Sequence, residues 1–320
     1  MLSEQSIITQ LQHAFPQDIG DDAAVFKAFG AQSYVITKDL LIENIHFRTQ
    51  YVNPTALAHK AIHVNLSDIA AMGAKPLFVL LGLSFPKNKE EYIKSFLEYF
   101  AQVCQKESIT LLGGDTTASP EMIYLSITAV GIAETVRVKY RHTARAGDCI
   151  AATGTLGEAY LGLLACEQGC KELTDYKKIF LEPTARIAEG LWLAQHDTVH
   201  ALMDVSDGLY ADLKKLCAAS KVAAEIRLEQ LSYSENFSRA CQQLDCEPIA
   251  TLLCGGEDYG LLMTCPQEHY KDLASKFHTQ FGYPLRHLGE IKQGHGVRFT
   301  QQGIEQPLVL NPFTHFGESL

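Results

Sequence analysis

Nine cysteines occur in the 320 residues, yet no CxxC pair is among them. Cys166 and Cys170 are one helical turn apart, and no histidine or second cysteine pair completes a soft-metal site with them, so they read as helix packing. The pattern suits a reducing cytosol. Three nucleotide and acyl-transfer signatures are missing as well. There is no G-x-x-x-x-G-K-[ST], no G-x-G-x-x-G and no G-x-S-x-G, which excludes by motif a P-loop NTPase, a dinucleotide-binding domain and a serine-elbow hydrolase. A basic excess is also lacking. With 37 acidic against 27 basic side chains the formal net charge is −10, which argues against a sequence-independent grip on nucleic acid or on an acidic membrane. The longest apolar run, Leu77 to Phe85, is too short to span a bilayer. Met1-Leu2-Ser3-Glu4-Gln5 has no basic stretch leading into an apolar core, so no signal peptide is expected.

What is present describes an ordinary globular chain, 47% hydrophobic and 20% charged, long enough for two domains. Apolar periodicity predicts helices over 3–13, 53–73, 88–104, 157–167, 184–195 and 209–219. Asn53-Pro54 supplies an N-cap followed by proline at the first helical position. Strands are expected over 34–41, 77–85, 109–112, 124–131, 149–153, 200–203 and 261–265. Strands alternating with helices make this an α/β or α+β protein. The loop around 136–148 divides it into domains 1–140 and 141–320.

The informative residues are aspartates at turns and element ends, set among Gly, Ser, Thr and aliphatic residues with few basic neighbours in sequence. A carboxylate withdrawn from water needs a partner or gives up its charge. All-oxygen ligands select hard cations, Mg²⁺ before Zn²⁺. Gly20-Asp21-Asp22 taken alone is a turn former. In Thr37-Lys38-Asp39, strand alternation sends Thr37 and Asp39 to one face and Lys38 to the other. Asp68 lies late on a largely apolar helix, where only a metal or a distant arginine would justify it. Gly113-Gly114-Asp115 follows a predicted strand, and its glycines would let backbone approach a ligand. Asp204-Val205-Ser206-Asp207-Gly208 joins a strand to a helix that Ser206 or Asp207 would cap, at the strand end where α/β folds place ligands. Thr153-Gly154-Thr155-Leu156-Gly157 is a weaker glycine loop, and Gly255-Gly256-Glu257-Asp258-Tyr259 suits contact with a donor group.

In this order, together with Glu43-Asn44-Ile45-His46-Phe47 and Asn65-Leu66-Ser67-Asp68-Ile69-Ala70-Ala71-Met72-Gly73-Ala74, the segments resemble the thiamine-monophosphate kinases of the PurM-like ATP-binding superfamily. The resemblance spans nearly the whole chain. It implies ATP-dependent phosphorylation of thiamine monophosphate to thiamine diphosphate in the cytoplasm. It also implies two α/β domains and a homodimer whose N-terminal domains form a β-barrel, with nucleotide near that interface. Residue by residue, it assigns Asp22, Thr37, Lys38, Asp39, Asp68, Asp115, Asp204 and Asp207 to several Mg²⁺ ions. Gly114, Asp115, Arg141 and Ser206 would contact ATP, and His46, Glu257 and Phe313 would contact thiamine monophosphate. The catalytic set would be Asp68, Asp115, Asp204, Asp207 and Arg141.

Two positions depart from the family pattern. Lys38 stands where Thr or Ser is usual, and alternation expects its side chain to point away from Asp39, leaving its carbonyl as the ligand. Phe313 replaces Trp or Tyr. The acceptor is a phosphate whose second pKa is about 6, mostly ionised near neutrality. No general base is required, and direct in-line transfer without a phosphoenzyme is expected. The competing readings are another PurM-type ATP-dependent enzyme, as in purine biosynthesis, and a nucleotide-binding protein without turnover.

Overall fold

The structure, a computed structural model, describes residues 4–14 and 20–311. The chain opens with α1 (Glu4–Ala14), β1 (Ala24–Lys27), β2 (Gln32–Ile42), α2 (Pro54–Ala71), β3 (Lys75–Phe85), α3 (Glu90–Lys106), β4 (Thr110–Ala118) and β5 (Tyr124–Glu134). It continues through β6 (Asp148–Ala152), α4 (Glu158–Glu167), α5 (Thr174–Leu181), α6 (Ile187–Ala194), β7 (Leu202–Val205), α7 (Leu209–Ser220) and β8 (Ala223–Arg227). The last elements are α8 (Glu235–Gln243), α9 (Pro248–Cys254), β9 (Gly260–Pro266), α10 (Gln267–Phe281), β10 (Arg286–Lys292), β11 (Gly296–Gln301) and β12 (Ile304–Glu305). Among the described residues no helix is long and apolar enough to cross a membrane.

Two mixed sheets organise these elements, as an α/β reading requires. The first has five strands in the order β1-β2-β5-β3-β4, the second seven in the order β12-β11-β8-β10-β6-β9-β7. In the first sheet only β3 and β4 run parallel. That sheet is open, with β1 and β4 at its edges. The chain alone therefore does not close the barrel that the resemblance implies.

Helix α2 joins the two halves. Asn53 Oδ1 accepts from Ala56 N at 2.9 Å and Pro54 takes the first helical position, while Gly73 in a left-handed conformation follows the last turn. Its residues are buried almost all the way round, the mark of a core helix rather than a surface one. One side packs on β2, β3 and β5, the other on α6 and β7. The approach to α6 depends on Gly190, where a Cβ would sit 2.2 Å from the Ala70 carbonyl oxygen. The helix thereby carries Lys60, Ser67 and Asp68 to the junction of the two sheets.

Several expectations are corrected. The strand predicted to end at Leu112 runs on to Ala118, so Gly113-Gly114-Asp115 lies inside β4. Two glycines weaken a strand by propensity, but hydrogen bonding to β3 overrides that, and a Cβ at Gly114 would meet the Leu81 carbonyl oxygen at 1.8 Å. Likewise β7 extends to Val205, which puts Asp204 within a strand. The strands β1, β8, β10, β11 and β12 and the helices α5, α8, α9 and α10 have no counterpart in the sequence reading.

Candidate active site

Three carboxylates from separate segments meet. Asp22 precedes β1, Asp68 sits in α2 and Asp204 in β7, and one oxygen from each lies within 4.8 Å of the others. Neighbouring hydroxyls hold two of them: Thr37 Oγ1 donates to Asp68 Oδ2 at 2.5 Å and Ser67 Oγ to Asp204 Oδ2 at 2.6 Å. Asp39 joins from β2, its backbone N–H bonded to Asn65 Oδ1 at 3.2 Å.

The electrostatics follow from this crowding. Burial, then the charges of Asp39, Asp204 and Asp22, push the Asp68 carboxyl well above its usual range. Asp204 is raised for the same reasons, burial first and Asp22 next. Asp39 is pushed up to about 6 by burial and by Asp207. Asp22 reaches about 7, burial outweighing the pull of Arg141. Asp22 Oδ2 is buried without a hydrogen-bond partner. An all-oxygen donor set short of positive charge, with one orphaned oxygen, fits a hard divalent cation.

Two of the acids have basic partners from elsewhere in the chain. The Arg141 guanidinium bonds Asp22 Oδ1, and its Nε is 3.6 Å from Asp21 Oδ1. The Arg141 backbone N–H also bonds both Asp21 oxygens at 3.2 Å. Asp21 is thus an anchor for the loop at 141 rather than a turn former only. Asp207 Oδ2 accepts from Lys215 Nζ at 2.5 Å. Arg141 lies more than a hundred residues from its partner and no local pattern reveals it.

The loop after β7 is built differently from expectation. Neither Ser206 nor Asp207 caps α7: its N-cap is Gly208, at φ 101°, with no side-chain cap. Instead Asp212, fully buried in the first turn, turns back and accepts from the N–H groups of both Ser206 and Asp207 at 3.0 Å. Lys215 Nζ holds its other oxygen at 2.9 Å. Sequence reasoning missed both residues, although an Asp and a Lys three apart on a helix were a usable signal.

The Gly255–Tyr259 loop lies against this one. A Cβ on Gly256 would come 2.6 Å from the Ser206 carbonyl oxygen, and Glu257 N donates to that oxygen at 2.7 Å. Glu257 and Tyr259 both have positive φ, 68° and 49°, a conformation that non-glycine residues adopt at some energetic cost. The Glu257 carboxylate is 2.8 Å from Lys60 Nζ. Asp258 takes the N–H groups of Gly157 and Ala159 at 2.6 and 3.0 Å, so the Thr153–Gly157 loop is already satisfied by a protein carboxyl. His46, in the loop after β2, accepts from Ile42 N at Nδ1, 3.0 Å, which puts its proton on Nε2.

Asp115 is not brought to this cluster, whereas Gly114 pairs with Leu81 and, through Ile127, shares the face of Asp39. In the ladder Asp115 pairs with Gly82, Gly82 with Ser126, and Ser126 with Leu40. Cross-strand partners share a face, so Asp115 lies on the uncovered face with Leu40, opposite Asp39. Lys38 is on that face too and donates from Nζ to Ser126 Oγ, away from Thr37 and Asp39 as alternation predicts. Phe313 lies outside the described residues.

Comparison with known proteins matches residues 20–133 to AIR synthase related protein, N-terminal domain, and 145–301 to its C-terminal domain. The chain is 35% identical over 310 residues to the thiamine-monophosphate kinase of Haemophilus influenzae, covering 94% of this chain and 92% of that protein. The kinase of Aquifex aeolicus is 33% identical over 292 residues, 90% of each. A solved structure, AaThiL complexed with AMPPCP and TMP, superposes with a TM-score of 0.86 at 31% identity, over 98% of this chain and 97% of that one.

Proposed function

Because this chain belongs to the thiamine-monophosphate kinase family of AIR synthase related proteins, we propose that it transfers the γ-phosphoryl group of ATP to thiamine monophosphate, yielding thiamine diphosphate and ADP. The observation that carries this reading is the meeting of Asp22, Asp68 and Asp204 in one oxygen cluster, in a chain aligned along its length with such kinases. Asp22, Asp39, Asp68, Asp204 and Asp207, with the Thr37 hydroxyl, would hold Mg²⁺. When bound, Mg²⁺ supplies charge neutralisation and alignment for the phosphate oxygens.

The chain's own residues do the rest. Arg141, now on Asp22, is placed to exchange part of that pairing for a phosphate oxygen. The Ser206 region is held rigid by Asp212 and offers hydroxyl and backbone donors beside the carboxylates. Glu257 and His46 would orient the acceptor. No side chain has to remove a proton, since the acceptor phosphate is mostly ionised above about pH 6. The transfer is therefore direct, and no residue carries a phosphoryl group.

The same reading assigns the uncovered face of the first sheet to a second copy of the chain. Leu40 and Leu80 are exposed on that face, and Asp115 would reach nucleotide only in such a dimer. The reaction would take place in the cytoplasm. Incubation with ATP, Mg²⁺ and thiamine monophosphate, followed by chromatography, should yield thiamine diphosphate in step with ADP. ADP without thiamine diphosphate, or no turnover, would overturn the assignment, as would a trapped phosphoprotein for the direct mechanism.

A further inference from the structure

Lys60 is an ammonium in the middle of α2 with 1% of its side chain exposed. Burying such a group costs several kcal/mol unless its charge and all its N–H bonds are satisfied. Here each contact is accounted for. Nζ is 2.8 Å from Glu257 Oε1, donates to the Phe180 carbonyl oxygen at 3.3 Å, and lies 3.9 Å from the centre of the Phe180 ring. The amine is buried while its partner is not: the Glu257 side chain keeps 27% of its surface. The ion pair therefore has a closed end and an open end.

We propose that Lys60 is a positioning residue for the acceptor substrate, acting through Glu257; the proposal rests on the kinase reading above. Two features make Glu257 need such a holder. Its backbone is in the left-handed region, and the loop's other ties, Glu257 N on Ser206 O, Tyr259 N on Val205 O and Asp258 on the Gly157 and Ala159 N–H groups, hold the backbone but not the Glu257 carboxylate. With Oε1 on Lys60, no other side chain among the described residues takes Oε2, and the carboxylate keeps a surface open to a donor. Because Lys60 already balances the carboxylate charge, the open oxygen selects a hydrogen-bond donor, an N–H of the substrate, rather than net positive charge. The geometry of α2 supports the division of labour. Lys60 and Ser67 are seven residues apart, on one face and about 10 Å along the axis. Ser67 holds Asp204 in the carboxylate cluster. One rigid helix thus sets the spacing between the acceptor's recognition end and the phosphoryl end.

The test is a double-substitution cycle on the full-length protein, read by steady-state kinetics and thermal unfolding. Lys60→Met should raise the KM for thiamine monophosphate about tenfold, the 1.4 kcal/mol of one misplaced charge-assisted hydrogen bond. The KM for ATP should stay within about twofold, a change under 0.5 kcal/mol. Glu257→Gln should raise the same KM, and adding Lys60→Met to it should give no further increase. The double variant has neither charge and should unfold at a higher temperature than Lys60→Met alone, which keeps the cycle measurable if the single variant folds poorly. Additive KM effects, or equal rises for both substrates, would overturn the proposal and make Lys60 a packing residue. A wild-type protein inactive on thiamine monophosphate would instead remove the reading beneath it.

Discussion

Asp68→Asn separates a site built for bound cations from one built for folding. In the free protein Asp68 shares a space 4.8 Å across with carboxyl oxygens of Asp22 and Asp204. At an effective dielectric of about 20, two unit charges at that distance repel by about 3.5 kcal/mol. Protonation already relieves much of this, since all three carboxyls are shifted upward. The net relief on placing a neutral amide there is about 1–2 kcal/mol, which raises Tm by a few degrees. Asn Oδ1 can still accept from Thr37. Turnover should move the other way, with kcat falling about 10²–10³-fold through loss of one anionic holder of phosphate-bound cations. Thermal unfolding with and without Mg²⁺ gives a second readout. Mg²⁺ at 100 times its Kd adds about 2.7 kcal/mol to the wild type, and the variant should lose most of that gain. A variant destabilised in proportion to its lost activity, or one stabilised by Mg²⁺ as strongly as the wild type, would refute the reasoning.

Other outcomes follow from single contacts. Asp212→Ala strips the acceptor from the Ser206 and Asp207 N–H groups and the partner from Lys215. Denaturation should show a loss of about 3 kcal/mol, with kcat reduced; unchanged stability would mean the loop is held elsewhere. Gly208→Ala places a Cβ 2.8 Å from Cys254 backbone at φ 101°, and should lower stability by at least about 1 kcal/mol. Lys38→Ala should leave the Mg²⁺ dependence of turnover within about twofold, because Nζ bonds Ser126; a large change would put the ammonium in the metal chemistry. His63 supplies a pH effect away from the site. Burial first, then His59 and Lys106, push it down to about 3, although Glu107 lies 3.7 Å from its Nε2. The folded imidazole stays neutral while the unfolded one takes a proton below about pH 6.5, so its contribution is whole above that pH. As pH falls from there toward 3, stability should drop by about 1.4 kcal/mol per unit. Urea titrations at pH 7, 6 and 5 should show a shallower slope for His63→Gln, and an equal slope would refute this.

Much of the N-terminal half was legible because its elements are long and their periodicity strong. Asn53-Pro54 marked the start of α2, and alternation along β2 separated Lys38 from Thr37 and Asp39. The C-terminal half was less so. Its strands β8, β10 and β11 pair with segments distant in the chain, so their identity rests on pairing partners rather than local pattern.

Residue type alone determined that these acids, once drawn from water, would need partners, and that any metal they held would be a hard cation, since an oxygen donor is defined by its own chemistry. Which acids gather was decided only by the tertiary structure. Asp22, Asp68 and Asp204 converge because α2 is buried between the two sheets, and Asp115 stays on the far side because ladder register assigns its face. The partners Arg141, Lys215 and Lys60 belong to the same category. A buried charge is balanced by whatever cation the fold delivers within a few ångströms, and that distance is set by packing, not by position along the chain.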